Sequence, residues 1–224
     1  MITSLFKIQR IRFQFLLLML VGLFVVVPYF EINFLSDIIL SILFFTALSV
    51  ISENPKLVLT SGFIGVVAIA SSWGSYWTGN TQLEVIANLF EIVFIGVVAT
   101  AILKTVFNAT KITRETVAGA ICVYLFIGLL WANVYALQDI AQPHSFANID
   151  IKEHAENPHI RAAQFTYFSF VTLSTLGYGD ITPKARQVKA LAAMEAIFGQ
   201  LYLAVLIARL VGQQASHRED SQEQ

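Results

Sequence analysis

Ser174-Thr175-Leu176-Gly177-Tyr178-Gly179-Asp180 follows without a break on Ile160-Arg161-Ala162-Ala163-Gln164-Phe165-Thr166-Tyr167-Phe168-Ser169-Phe170-Val171-Thr172-Leu173. The longer stretch is apolar and aromatic, yet shorter than the ~20 residues that a helix needs to cross a hydrocarbon core. It reads as a re-entrant helix, so its end continues as irregular backbone at membrane depth. Such backbone persists only where it is buried in protein or lines a water-filled path, because lipid offers nothing to its N–H and C=O groups. Gly177 and Gly179 give that segment a conformation that residues with a Cβ resist. In it, successive carbonyls can turn toward one axis.

The rest of the chain supplies the membrane. Of 224 residues, 56% are hydrophobic and 13% charged, and the mean hydropathy is +0.68, a composition unsuited to a soluble globule. Six apolar runs are long enough to span: 13–30, 33–52 with Asp37 near its start, 57–77, 83–107 with Glu84, Glu91 and Lys104, 116–138 with no charge, and 190–211 with Glu195 and Arg209. The basic residues Lys7, Arg10 and Arg12 ahead of the first run would also suit a secretory signal. Its length and the lack of a small-residue cleavage site before Glu31 favour an uncleaved transmembrane helix instead. The expected fold is an all-α membrane protein of six transmembrane helices, with the short helix and its loop between helices five and six.

Lys and Arg in short loops favour the cytoplasm. With the N-terminus inside, nine of the fourteen basic residues are cytoplasmic and five, Lys152, Arg161, Lys184, Arg186 and Lys189, are outside. Both termini are therefore expected in the cytoplasm. The net charge of −1 gives no sign of nucleic-acid binding. The lone Cys122 reads as a small packing residue, with no intrachain disulfide available to it.

Thr175-Leu176-Gly177-Tyr178-Gly179-Asp180 resembles the signature of the potassium-channel pore family, Thr-Val-Gly-Tyr-Gly followed by Asp, with leucine for the usual valine. The resemblance covers about residues 116–211. It implies four subunits around an axis, here a homotetramer, whose stacked carbonyl rings replace the hydration shell of K+. Thr175, Leu176, Gly177 and Tyr178 would supply carbonyls, Thr175 also its hydroxyl, and Gly179 would complete the filter. Tyr178 would point away from the axis and brace the filter against the pore helix. Domains would then be a four-helix membrane unit over 1–115, a pore domain over 116–211 and a short cytoplasmic tail over 212–224, in the plasma membrane. K+ would be the permeant ion, and no cofactor is expected.

Several positions depart from the family pattern. Tyr167-Phe168 stands where many relatives have two tryptophans, and Val171 where some have a glutamate. Phe168 cannot donate a hydrogen bond to Asp180, so that support of the filter is weakened or replaced. Gly199 stands where many members keep a hinge glycine, and it reads either as a pivot or as a packing residue. Leu203, Ile207 and Leu210 beyond it form an apolar face that could close a pore by dewetting. The 83–107 run holds no arginine, so the layout resembles a voltage-gated channel without the charges that voltage sensing needs.

Two acidic residues lie inside runs. Glu91 reads either as a proton sensor or as a structural glutamate bonded to a neighbour such as Asn88. Glu195, one turn before Gly199, is open between gating and structure, with the pore helix as its expected neighbour. His144, His154 and His159 sit in the outer connection without metal-ligand spacing, and suit a solvated loop or an external pH effect. Asn108-Ala109-Thr110 fits a glycosylation sequon on the cytoplasmic side. A transporter would want paired discontinuous helices in matching halves, and an enzyme a nucleophile–base pair or metal cluster. Neither is found in the sequence. The remaining alternative is a regulatory or scaffold subunit that conducts only in mixed tetramers.

Overall fold

The computed structural model describes residues 12–26, 33–50, 55–109, 112–149 and 158–222. Lys7, Arg10, Lys111, Lys152 and His154 lie outside the described residues, as do the ends of the first two expected runs. Seven helices occur among the described residues: α1 (Arg12–Val26), α2 (Asn33–Val50), α3 (Pro55–Thr78), α4 (Thr81–Asn108), α5 (Arg114–Ala141), α6 (Pro158–Leu173) and α7 (Arg186–Gln222). Two short strands, β1 (Phe146–Ala147) and β2 (Thr182–Pro183), flank α6.

Helices α3, α4, α5 and residues 186–212 of α7 are long and apolar enough to cross a membrane, while the apolar stretch of α1 is shorter. The 16 residues of α6 fall below a span. Helices α3, α4, α5 and α7 outrun the apolar stretches that predict them, and polar caps extend α4 and α5. The Asn80 side chain accepts from the Gln82 N–H at the start of α4, just after Gly79 at φ 64° closes α3. Thr113 and Thr116 form a reciprocal capping box at the start of α5. The expected tail over 212–224 is a helical continuation of α7 as far as Gln222.

Packing does not divide at residue 115. Helix α5 packs on α1 and α4 as well as on α6 and α7, and one buried cluster runs through Leu16, Leu20, Phe44, Phe94, Val98, Ile102, Val123 and Phe126. The Phe13 N–H, in the first turn of α1, donates to Glu115 Oε2 at 3.1 Å. A carboxylate from α5 thus sits at the positive end of α1. Cys122 is buried in this cluster beside the Phe13 carbonyl, as a packing residue would be.

Strands β1 and β2 pair antiparallel, Phe146 opposite Pro183 and Ala147 opposite Thr182. The N–H groups of Lys184 and Ala185 add bonds of 2.8 and 3.0 Å to the Ser145 carbonyl. The connection before α6 and the chain after Asp180 are therefore tied together, a ladder that hydrophobic periodicity gave no reason to expect. Beneath it, Phe146, Phe165 and Phe168 pack with Tyr135 and Val188 in a second buried cluster.

Candidate functional site

Helix α6 ends at Leu173, and the chain leaves it by turning its amides back onto the last turn. The N–H of Thr175 bonds the Thr172 carbonyl at 2.9 Å, and those of Leu176 and Gly177 both reach the Val171 carbonyl, at 3.0 and 3.2 Å. The amides of Thr175, Leu176 and Gly177 are thereby used. Among the described residues, nothing donates to the carbonyls of Thr175, Leu176, Gly177 or Tyr178.

Alternate residues adopt left-handed backbone: Thr175 at φ 60°, Gly177 at 60° and Gly179 at 77°. For the two glycines this carries no Cβ penalty, and a Cβ built on either would meet nothing within 4 Å. Conformation, not crowding within the chain, is what selects glycine there. Thr175 is β-branched and holds the same conformation at a strain of about 1–3 kcal/mol. Its place in the alternation was not legible in the sequence, since threonine gives no signal for positive φ.

All residues from Ser174 to Asp180 are exposed in the single chain. Leu176 is 55% and Tyr178 67% exposed. Asp180 is held from α6 by Tyr167, whose hydroxyl donates to Asp180 Oδ2 at 2.6 Å. The support that Phe168 cannot give therefore comes from the residue before it. Phe168 faces inward, 4% exposed, with its ring 5.0 Å from that of Tyr135 and 5.3 Å from that of Phe146. The Tyr167 bond holds the Asp180 carboxyl below the usual carboxylate range and pushes the Tyr167 hydroxyl up to about 12.

Behind the segment, three helices meet around Glu195, which is fully buried on α7. The Tyr135 hydroxyl of α5 donates to Glu195 Oε2 at 2.5 Å. Ser169 Oγ of α6 lies 2.5 Å from Glu195 Oε1 and 2.7 Å from the Gly128 carbonyl oxygen of α5. Glu195 does face the short helix, and its partners, Ser169 and Tyr135, were not singled out in the sequence. Hydroxyls within otherwise apolar runs that must pack near an intramembrane glutamate are the signal that could have found them.

One turn on, Gly199 is buried, and a Cβ there would stand 2.6 Å from the Leu173 carbonyl oxygen. That carbonyl also accepts from the Tyr124 hydroxyl at 3.3 Å. Gly128 serves the other side of α6 in the same way, with the Phe170 ring 2.5 Å from where its Cβ would be. Farther along α7, Leu203 and Leu210 are half-buried and Ile207 is 59% exposed. Tyr202 donates to the Ala120 carbonyl at 2.6 Å, and Arg209 bonds the Phe107 carbonyl with its guanidinium 4.4 Å from that ring's centroid. Glu91 is half-buried on α4.

At its start α6 is anchored by charge. Arg161, 9% exposed, lies 2.7 Å from Glu84 Oε1 in the first turn of α4 and 3.7 Å from Asp139 Oδ2 near the end of α5. What the arrangement offers chemically is a row of free carbonyl oxygens on strained backbone, held at one end of a buried helix and braced at Asp180.

Residues 120–213, from α5 through most of α7, match the model of a family described as an ion channel. No curated protein and no solved structure matches the chain. Four helices able to span and this match together mark an integral membrane protein whose residues 120–213 are similar to an ion-channel family.

Proposed function

We propose that the chain is one subunit of a homotetrameric, K+-selective channel that conducts passively, with Thr175, Leu176, Gly177, Tyr178 and Gly179 as its selectivity filter. The observation that carries this reading is the alternation of left-handed residues at 175, 177 and 179, with the amides of Thr175, Leu176 and Gly177 spent on the end of α6 and, among the described residues, the carbonyls of 175–178 left unpaired. Unpaired carbonyls at membrane depth call for a cation or water. One subunit supplies only one side of an ion's shell, and the exposure of Leu176 and Tyr178 in a single chain suits packing against neighbouring copies. The six helices α1–α5 and α7 then cross the plasma membrane with both termini in the cytoplasm, and α6 re-enters from outside.

The test is flux through the purified full chain reconstituted alone into liposomes. K+ should permeate well ahead of Na+, which separates this reading from a subunit that conducts only in mixed tetramers. Gly177→Ala and Gly179→Ala each force a Cβ into a positive φ and should abolish K+ flux while the oligomer persists. Unchanged selectivity in both variants would overturn the filter assignment.

A further inference from the structure

We propose that Glu195 is held here as a neutral carboxylic acid, and that its proton completes a hydrogen-bond chain fixing α6 between α5 and α7, making the position of α6 proton-dependent. The basis is a count of protons. Gly128 O, Ser169 Oγ and Glu195 Oε1 form two consecutive contacts, of 2.7 and 2.5 Å, and each lies in the range of an O–H···O bond. Two contacts need two protons. The Gly128 carbonyl has none to give, and the Ser169 hydroxyl has one.

If Ser169 donates to Glu195, its oxygen faces the Gly128 carbonyl at 2.7 Å with no proton between them. If Ser169 donates to Gly128, the other contact is made only by a proton on Glu195 Oε1. The second arrangement leaves every group satisfied. Tyr135 donates to Oε2, the carbonyl oxygen of the acid, while the acid's own proton goes to Ser169 and the proton of Ser169 to Gly128.

Among the described residues, no cation pairs with Glu195. Glu195 is 0% exposed, and a buried carboxylate without a cation is heavily penalised. Among the described residues the buried ion pairs of α6 go elsewhere, Arg161 being held by Glu84 and Asp139. Arg209 is occupied at Phe107. The titratable groups that α5 turns toward Glu195 are Tyr135 and, farther along, Tyr124, whose hydroxyl is engaged with Leu173. Helix α6 presents Ser169, which does not titrate. On α7 itself the flanking titratable residues are Lys189, which is exposed, and Tyr202, bonded to Ala120.

Removing the proton draws the single proton of Ser169 to Glu195 and breaks its bond to Gly128. That hydrogen bond between α5 and α6 is then lost, on the helix whose last turn holds the Thr175–Gly177 amides. Glu195 is thus a positioning residue for the proposed filter. Its protonation is independent of the channel reading, while the effect on flux rests on it.

The test uses the full chain in liposomes, with infrared spectroscopy and K+ flux measured at about pH 6 and about pH 9, where an ordinary glutamate is ionised and ordinary tyrosine is not. At the lower pH the wild type should show the carbonyl band of a protonated acid, shifted in Tyr135→Phe and absent in Glu195→Gln. Glutamine keeps both a donor for Ser169 and an acceptor for Tyr135. Glu195→Gln should therefore conduct at both pH values, while wild-type flux falls severalfold from the lower to the higher. An acid band with no flux from any variant would support the protonation and count against the channel. No acid band at the lower pH would overturn the proposal, as would a Glu195→Gln protein that keeps the wild-type pH dependence.

Discussion

Tyr167 and Asp180 show how a single bond sets a pH window. The hydroxyl of one donates to the carboxylate of the other, lowering the acid's pKa and raising the phenol's to about 12. For the carboxylate, the contribution is present above its ordinary value near ~3.9 and is lost as pH falls through the lowered value. For the phenol it is present below ~10 and is lost as pH rises through the raised value. The difference in thermal stability between wild type and Tyr167→Phe should therefore be constant from about pH 5 to about pH 9. A difference that fades within that interval would show that the pair does not titrate as its geometry implies. Tyr167→Phe should also speed the decline of K+ flux under sustained conduction, since Asp180 then loses its hydrogen-bonded tie to α6.

Helix α7 carries two demands at neighbouring positions. At Gly199 it approaches the end of α6 so closely that a methyl group would strike a backbone oxygen rather than a yielding side chain. Gly199→Ala should destabilise the assembled protein by about 1–3 kcal/mol, the usual penalty of overpacking, visible as a lower melting temperature. An unchanged melting temperature would return Gly199 to the role of a free pivot. Beyond it, the contacts of Tyr202 and Arg209 anchor one face of α7, while Leu203, Ile207 and Leu210 stand on another. We expect those three to form the gate. Leu203→Ser or Ile207→Ser should make the closed pore leak, and flux identical to wild type in both would move the gate to the filter.

At the scale of the whole molecule, the first four helices and the region matching an ion-channel family share a core and are pinned together at Arg161. Its pair with Glu84 joins α4 to the start of α6 across 77 residues of sequence. Both side chains are nearly buried, so removing one partner should destabilise by roughly 3–5 kcal/mol. Glu84→Leu with Arg161→Met should lose less than the sum of the single changes, and strict additivity in that cycle would deny the coupling. These helices hold no charge series to work against a field, for α4 has no arginine and only Lys104 as a basic residue. The open fraction should therefore vary little with voltage. A conductance–voltage curve with several gating charges per channel would contradict this.

The sequence by itself determined the helices, the short α6 and the backbone of the candidate filter. Each depends on local rules: the length of an apolar run against the thickness of a bilayer, and glycine where φ is positive. Gly177 and Gly179 announced their conformation because no other residue adopts it so freely. Thr175 did not, because its left-handed backbone is imposed by the amide bonds around it. Phe168 could be read as unable to hold Asp180, but that Tyr167 holds it depends on which way α6 is rotated. Ser169 and Tyr135 are 26 and 60 residues from Glu195 in sequence. Only the packing of α5, α6 and α7 brings their hydroxyls to one carboxyl, because an apolar run fixes that a helix crosses but not which of its polar atoms meets another helix.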